Sequence, residues 1–312
     1  MVDERSFTAR LGRFFGSHRE VLVGIGDDAA VVVPRGRATV LCCDPVIEGV
    51  HFTADAPAPW IGRKAVNRNL ADLAAMGAHA DWLLVSLVLP RDCTAARRNG
   101  LLRGLRAAAR AAGAVVVGGD VATSPGPLTI TVTAVGHLRG RALRRDTARV
   151  GDTLHVSGPL GGSLAGHHLR FRPPLALGVW LAQQRAVHAA MDISDGLLLD
   201  LATLLRASGG LGAEVFAEAV PIAAAARRRA GGDAEAALQA AFRDGEDHEL
   251  LWTQAAGRRL VAGGPLAADH RAPIGRIIAR PGLWLLEGGR RTRLQPSGYL
   301  HALRAGEARS AR

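Results

Sequence analysis

Residues 65–90 read AVNRNLADLAAMGAHADWLLVSLVLP, a helical pattern that ends at a glycine and is followed by an apolar, strand-like run. We predict a helix over residues 59–76, with Pro59 in its first turn and Gly77 at its end, and a strand over residues 82–89. The flanking sequence continues this alternation, with β-branched runs at 20–34 and 37–43, a helix at 94–112, and strands at 114–117 and 128–135. The interleaving predicts an α/β unit, but without the regular spacing of a doubly wound sheet.

A basic, turn-rich stretch over residues 139–150 separates this unit from the rest of the chain, and we predict a domain boundary near residue 150. The predicted domains are therefore 1–150 and 151–312. The second begins with a strand, a glycine-rich turn and a helix over residues 153–168. Its other predicted elements are helices at 175–189, 195–207 and 222–241, and strands at 212–217, 249–253 and 274–280.

Composition excludes several classes of protein. The 312 residues carry a net charge of +11, but the basic residues are scattered, Lys64 is the only lysine, and aromatic residues make up 4%. This pattern argues against nucleic-acid binding, which needs clustered cations and stacking platforms.

No apolar run approaches the roughly 20 residues that span a bilayer. The N-terminus lacks the pattern of a signal peptide, so we expect a cytoplasmic location. The three cysteines do not form a disulfide framework.

Six acidic patches, each beside a glycine, are the strongest chemical signal in a chain with only 28 Asp and Glu residues. Carboxylates are the ligands that Mg²⁺ prefers, and a bare glycine backbone lets phosphate approach. The patches therefore predict a metal-assisted phosphate site. They are Gly24–Asp28, Asp44 with Glu48–His51, Asp72 before Gly77, Gly118–Asp120, Asp192–Gly196 and Gly245–Asp247.

Local patterns leave some roles open. Lys64, Arg68 and Asp72 share one helix face, either as a solvated salt-bridge stripe or with Asp72 directed at a metal. One aspartate of Asp192–Gly196 can cap the following helix while the other binds metal, or both can serve the helix only. In a chain so rich in arginine, Lys64 suggests a place that fits only a compact ammonium, with chance retention as the alternative.

Other nucleotide-binding and catalytic patterns are missing. The sequence has no GxxxxGK[ST] loop, and no Ser-His-Asp or Cys-His arrangement is indicated locally. His167, His168 and His248 lack zinc-ligand spacing and read as ordinary polar residues.

In this order, the segments GIGDDAAVV, DPVIEGVHF, residues 65–90, RRDTARVGD, SGPLGGSLAG, MDISDGLLLDL and GEDHELL strongly resemble the thiamine-monophosphate kinase family. That family belongs to the aminoimidazole-ribonucleotide-synthetase-like superfamily. The resemblance covers almost the whole chain. It implies an N-terminal α/β domain whose sheet pairs with a second subunit to form a barrel, and a C-terminal α+β domain that closes the active site. It further implies a homodimer that transfers the ATP γ-phosphoryl directly to thiamine monophosphate, without a phosphoenzyme.

The resemblance also implies residue roles. Several Mg²⁺ ions would be held by Asp28, Cys43, Asp44, Asp72, Asp120, Asp192 and Asp195. ATP would be contacted by Gly119, Asp120, Arg145 and Ser194. Thiamine monophosphate would be bound by His51, Glu246 and Tyr299.

The chain departs from the family at Cys42 and Cys43, where small hydroxyl residues are usual. A neutral thiol is a poor ligand for Mg²⁺, so at least one ion should bind more weakly or through water. Two alternatives stay open: a sister enzyme of the same superfamily, and a protein that binds ATP or thiamine phosphate but in which the change at Cys42 and Cys43 has ended transfer.

Overall fold

The computed structural model describes residues 13–16, 21–23, 31–32, 34, 38–266 and 272–299. The first group of elements contains β1 (Val21–Val23), β2 (Val31–Val32), β3 (Ala38–Ile47), α1 (Ala58–Ala75), β4 (His79–Pro90), α2 (Ala95–Ala111), β5 (Val115–Ser124) and β6 (Thr129–Leu138). The second group begins with β7 (Thr153–Val156), α3 (His167–Arg170), α4 (Leu175–Gln183), β8 (Val187–Asp192), α5 (Leu197–Ala207) and β9 (Gly212–Phe216). It ends with α6 (Ala224–Ala230), α7 (Ala234–Arg243), β10 (Leu250–Gln254), β11 (Gly275–Ile278), β12 (Gly282–Glu287) and β13 (Arg290–Leu294).

The first sheet has the order β3-β6-β4-β5, and only its β4–β5 pair is parallel. Its inner face packs against α1 and α2 around an apolar core that includes Val66, Leu70 and Leu83. The helix α1 begins with Pro59 in its first turn, and Gly77 follows its C-terminal cap at a φ of 72°. Both signals were read correctly, because a proline suits the first turn and glycine tolerates left-handed backbone.

The outer face of this sheet carries exposed apolar side chains. Leu41 on β3 is 67% exposed and Leu84 on β4 is 39% exposed. The register pairs Thr133 with both Leu84 and Cys43, so these side chains lie in one row on the face opposite the helices.

The second sheet has seven strands in the order β13-β12-β9-β11-β7-β10-β8, antiparallel except for the β9–β12 pair. Its own core includes Leu201, Val215, Phe242 and Leu251. A third apolar cluster joins the two groups of elements, because Ala74 at the end of α1 packs with residues of α4, β8 and β10. This junction brings α1 close to the end of β8.

Several predicted elements differ in the structure. Residues 118–120 lie inside β5 rather than after a strand that ends at 117. The predicted helix 175–189 stops at Gln183, because β8 begins at Val187. The predicted helix over 222–241 is two helices, α6 and α7, separated by Gly231 and Gly232. Within the described ranges, no helix combines the length and hydropathy needed to cross a bilayer.

Candidate active site

The carboxylates of Asp44 and Asp72 lie where β3 meets α1. Arg68 Nε donates to Asp44 Oδ2 at 3.1 Å. Asn69 fixes the same point of β3, because its Oδ1 accepts from the backbone N–H of Asp44 at 2.9 Å. Cys42, on the same face of the strand, lies with its Sγ 3.2 Å from the Asn69 carbonyl oxygen and also interacts with Asp72. This face of α1 therefore contacts β3 and carries Arg68 and Asp72 beside Asp44. The interpretation of the face as a solvated row of salt bridges is wrong.

The loop that joins β8 to α5 carries Asp192, Ser194 and Asp195. Neither Asp192 nor Asp195 caps the helix, whose N-cap is Gly196 without a side-chain hydrogen bond. Instead Asp200 reaches back from the first turn, and its Oδ2 accepts from the N–H of Ser194 at 3.0 Å and of Asp195 at 2.9 Å. Neither of the two aspartates therefore caps the helix, and Asp200 instead fixes the backbone of the loop that precedes it.

The segment 245–248 packs directly on this loop. The N–H of Glu246 donates to the Ser194 carbonyl at 2.7 Å, and the N–H of His248 donates to the Ile193 carbonyl at 2.8 Å. Glu246 and His248 have positive φ values of 62° and 53°, which residues other than glycine rarely adopt. Such local strain persists where the surrounding structure imposes it, and it clusters at functional sites.

The C-terminal motif also contacts the loop. The Tyr299 N–H donates to the Asp195 carbonyl at 2.9 Å. A Cβ on Gly298 would lie 2.1 Å from the same oxygen, so only glycine permits this approach. Tyr299 remains 49% exposed. Three segments that are distant in sequence therefore meet around Asp195.

The electrostatics of the site indicate a place for a cation. Burial, followed by the negative charges of Asp192 and Asp44, raises the pKa of Asp72 to about 7. Burial and the same acidic surroundings also raise the pKa of the Cys42 thiol, which therefore stays neutral. Among the described residues, no three acidic, histidine or cysteine side chains close around one point as a preformed metal cage. Mg²⁺ commonly binds through one or two carboxylates together with waters and substrate phosphates, so this open arrangement fits it.

His51 and Glu246 come together through Lys64. The Lys64 ammonium donates to the His51 carbonyl and to Glu246 Oε2, and His51 Nδ1 accepts from the Ile47 N–H at 3.0 Å. Burial alone would raise the pKa of Glu246, but the charges of Lys64 and Arg68 outweigh it and hold that pKa below its ordinary value. Glu246 is therefore an anion held between two cations.

Other candidates lie apart from this cluster. Asp120 is on β5, and Asp44 is on the opposite edge strand, β3, so at least three strand spacings, about 14 Å, separate their backbones. A Cβ on Gly119 would lie 1.8 Å from the Val85 carbonyl oxygen, so its lack of a side chain serves strand packing. Arg145 is exposed, and its carbonyl accepts from Ser208 Oγ at 3.0 Å. Asp28 lies outside the described residues.

Cys43 lies on the opposite face of β3 from Cys42 and Asp44. It is exposed on the outer side of the sheet, where its Sγ accepts from Thr133 Oγ1 at 3.2 Å. Because side chains alternate along a strand, its thiol points away from Asp72, and this orientation does not favour the predicted role of Cys43 as a metal ligand, which stays a prediction.

Sequence reasoning also missed His248. The side chain is 2% exposed, stacks on Phe171 with ring centroids 4.2 Å apart, and places Nδ1 3.7 Å from Asp192 Oδ2. It is therefore not an ordinary surface histidine. Its position within GEDHELL, two residues after Glu246, was the available signal.

Comparisons with known proteins show which family the chain resembles. The model of the AIR synthase related protein, N-terminal domain, matches residues 26–138. Thiamine-monophosphate kinase of Rhodopirellula baltica is 37% identical over 311 residues, covering 96% of this chain and 97% of that protein. The crystal structure of thiamine-monophosphate kinase from Stenotrophomonas maltophilia K279a is similar with a TM-score of 0.77 and 34% identity, covering 89% of this chain and 94% of that one.

A further solved structure, AaThiL complexed with AMPPCP and TMP, has a TM-score of 0.76 and 27% identity and covers 96% of this chain and 97% of that one. These likenesses extend over both sheets, so the two-domain fold expected from the resemblance is confirmed. The chain therefore belongs to the thiamine-monophosphate kinase family.

Proposed function

We propose that this protein catalyses the transfer of the ATP γ-phosphoryl group to thiamine monophosphate, giving thiamine diphosphate and ADP. The observation that carries the proposal is that Asp72 of α1 is buried beside Asp192 of β8 and Asp44 of β3, so that burial and then these two charges raise its pKa. The carboxylates of Asp72 and Asp192 come from different domains and repel each other, and a divalent cation between them would relieve this repulsion. A family whose members include AaThiL, solved with AMPPCP and TMP, supports ATP and thiamine monophosphate as the substrates.

Mg²⁺ is the cation that we assign to this place. Its ligands would be Asp44, Asp72, Asp192 and Asp195, with Asp28 and Asp120 as further candidates. When bound, Mg²⁺ would neutralise phosphate oxygens and bridge the two substrates. The neutral Cys42 thiol stands beside Asp44 and Asp72 as a poor ligand, which supports a site that depends on carboxylates and water.

The remaining residues would position the substrates. We assign Gly119, Asp120, Arg145 and Ser194 to ATP, and His51, Glu246 and Tyr299 to thiamine monophosphate. The anionic Glu246 and the Tyr299 ring suit a ligand that carries a cationic thiazolium. Ser194 is held by the Asp200 carboxylate, so its backbone is fixed before a phosphate arrives.

The reaction would be a direct transfer. Catalysis would consist of alignment and charge neutralisation, which supply most of the rate enhancement in phosphoryl transfer. Arg68 would keep Asp44 in place beside α1, because its Nε donates to that carboxylate. The acceptor phosphate oxygen would attack the γ-phosphorus, and the bond to the β-phosphate bridging oxygen would break to release ADP.

We further propose that residues 1–150 form a domain for ATP, metal and dimer contacts, and that residues 151–312 form the domain that closes over them. The exposed Leu41 and Leu84 give the outer face of the first sheet an apolar surface that suits a second copy of the chain. Two such sheets packed together would give the dimer barrel.

The test is the formation of thiamine diphosphate from ATP and thiamine monophosphate across a Mg²⁺ titration, beside an Asp195→Asn variant. We expect turnover that requires Mg²⁺ and is lost in the variant. ATP binding without turnover would favour a non-catalytic binder instead. Turnover with a different acceptor would favour a sister enzyme.

A further inference from the structure

Lys64 is the only lysine in a chain that otherwise uses arginine for its basic residues. Its side chain is fully buried, at 0% exposure, and it lies in the middle of α1. The ammonium donates to the carbonyl of His51, in the first group of elements, and to the carboxylate of Glu246, in the second. One side chain therefore joins the two segments assigned above to the acceptor substrate.

Burial of an ammonium is costly unless it is paired and hydrogen-bonded, so this arrangement needs its partners. A compact ammonium donates in several directions from one point, whereas a guanidinium is a larger planar fork. The two acceptors of Lys64 belong to different segments of the chain, and one ammonium group can donate to both of them.

Glu246 has a second cationic neighbour. Its Oε1 lies 3.6 Å from Arg68 Nη1, and the Nε of the same guanidinium donates to Asp44. Without Lys64, Arg68 would be the remaining cation of this group next to Glu246, and it would draw the carboxylate toward the metal-binding carboxylates. The left-handed backbone of Glu246, at a φ of 62°, is a local strain that persists only where surrounding contacts impose it.

We propose that Lys64 is a positioning residue for the acceptor substrate, which holds the Glu246 carboxylate and the His51 segment in one geometry across the two domains. The proposal rests on the assignment of Glu246 and His51 to thiamine monophosphate. It predicts that loss of Lys64 affects the acceptor selectively, while ATP binding is preserved.

The experiment compares Lys64→Met, Lys64→Arg, Glu246→Gln and the Lys64→Met/Glu246→Gln double variant by steady-state kinetics and thermal unfolding. For Lys64→Met we expect the KM for thiamine monophosphate to rise about 10- to 100-fold, as when a hydrogen bond to a charged group is lost. The KM for ATP should change less than about twofold. In the Glu246→Gln background, Lys64→Met should add little, because the two residues act as a unit.

Arg276→Met is the matched control. It removes another cation from a carboxylate, since Arg276 Nε donates to Glu214 Oε2 at 2.6 Å within the second sheet, away from the site. It should leave both KM values unchanged. Lys64→Arg should behave like Lys64→Met.

Equal rises in both KM values, additive effects in the double variant, or a Lys64→Arg enzyme with unchanged kcat/KM and stability would each overturn the proposal. If Lys64→Met does not fold, Lys64→Arg and Glu246→Gln decide the matter by the same KM comparison. Wild-type turnover is measured first. If it fails, the proposed function fails, and Lys64 is then tested by calorimetric binding of thiamine monophosphate to wild type and Lys64→Met.

Discussion

Asp200 Oδ2 accepts hydrogen bonds from the backbone N–H groups of both Ser194 and Asp195, so a buried carboxylate in the first turn of α5 fixes the loop that carries these two residues. Burial raises the pKa of Asp200 to about 7, even though the two N–H donors act in the opposite direction. The geometry of the loop therefore depends on a residue that is not among the candidate metal ligands.

Replacing Asp200 with alanine should reduce both stability and catalysis. Two N–H groups would lose their acceptor, at a cost of about 1–3 kcal/mol, and Asp195 would no longer be held in place. Thermal unfolding and kcat/KM measure the two effects. The control is Asp233→Ala, which removes the cap of α7, where Asp233 Oδ1 accepts from the Ala236 N–H at 3.0 Å. It should lower stability by about 1 kcal/mol without a change in kcat. An Asp200→Ala enzyme of normal activity would contradict this view of the loop.

The pH dependence of Mg²⁺ binding should follow Asp72. Its pKa is raised from 3.8 to about 7, so between these values the native state binds a proton that the unfolded state has released. In the absence of metal, this group therefore contributes stability at low pH that is lost as the pH rises toward 7. Mg²⁺ must displace the same proton. We expect its affinity to fall roughly fivefold between pH 7 and pH 6.

Calorimetric Mg²⁺ titrations at pH 6, 7 and 8 would check this dependence, with proton release read from the buffer dependence of the enthalpy. Asp72→Asn should bind Mg²⁺ more weakly and lose most of the dependence on pH. An affinity that is constant from pH 6 to 8 would show that Asp72 does not titrate on binding.

The two adjacent cysteines should respond differently to replacement by serine. Cys42 lies beside Asp44 and Asp72, whereas Cys43 lies on the other face of β3. Cys42→Ser supplies an oxygen that Mg²⁺ prefers, and we expect the Mg²⁺ concentration for half-maximal activity to fall roughly tenfold. Cys43→Ser is the matched control and should leave the Mg²⁺ requirement unchanged. The reverse result would place the metal on the outer side of the sheet.

Self-association should depend on the outer face of the first sheet. Leu41→Glu puts a charge at a 67% exposed apolar position on that face. We expect wild type to sediment as a dimer of the 32.6 kDa chain and the variant to be a monomer. Val261→Glu, at a 70% exposed position outside this sheet, should remain dimeric. A wild-type monomer, or a dimeric Leu41→Glu variant, would contradict the proposed interface.

Local signals in the sequence predicted the parts of the fold that local forces determine. Pro59 and Gly77 defined the ends of α1, because their backbone preferences act without distant partners. The β12–β13 hairpin was missed, although Gly288 and Gly289 between two strand-like segments are a recognisable turn signal. Residues 118–120 were placed after the end of a strand, but pairing with β4 continues the strand through them.

The contacts within the site were less predictable, since they depend on partners far away in the sequence. The sequence alone did not show that Asp200, rather than Asp192, accepts the hydrogen bonds of the loop N–H groups, because that depends on the path of the chain. His248 stacks on Phe171, and Lys64 is paired with Glu246, which is 182 positions away. Sequence periodicity located the face of α1 that carries Lys64, but not what covers it.

The most direct measurement of the central claim uses ATP labelled in its γ-phosphate together with thiamine monophosphate, Mg²⁺ and the wild-type protein. The proposed function predicts that the label appears in the terminal phosphate of thiamine diphosphate, one equivalent for each ADP formed, with none retained on the protein. Label on the protein would contradict direct transfer. Release of labelled inorganic phosphate, without labelled thiamine diphosphate, would contradict the assignment of thiamine monophosphate as the acceptor.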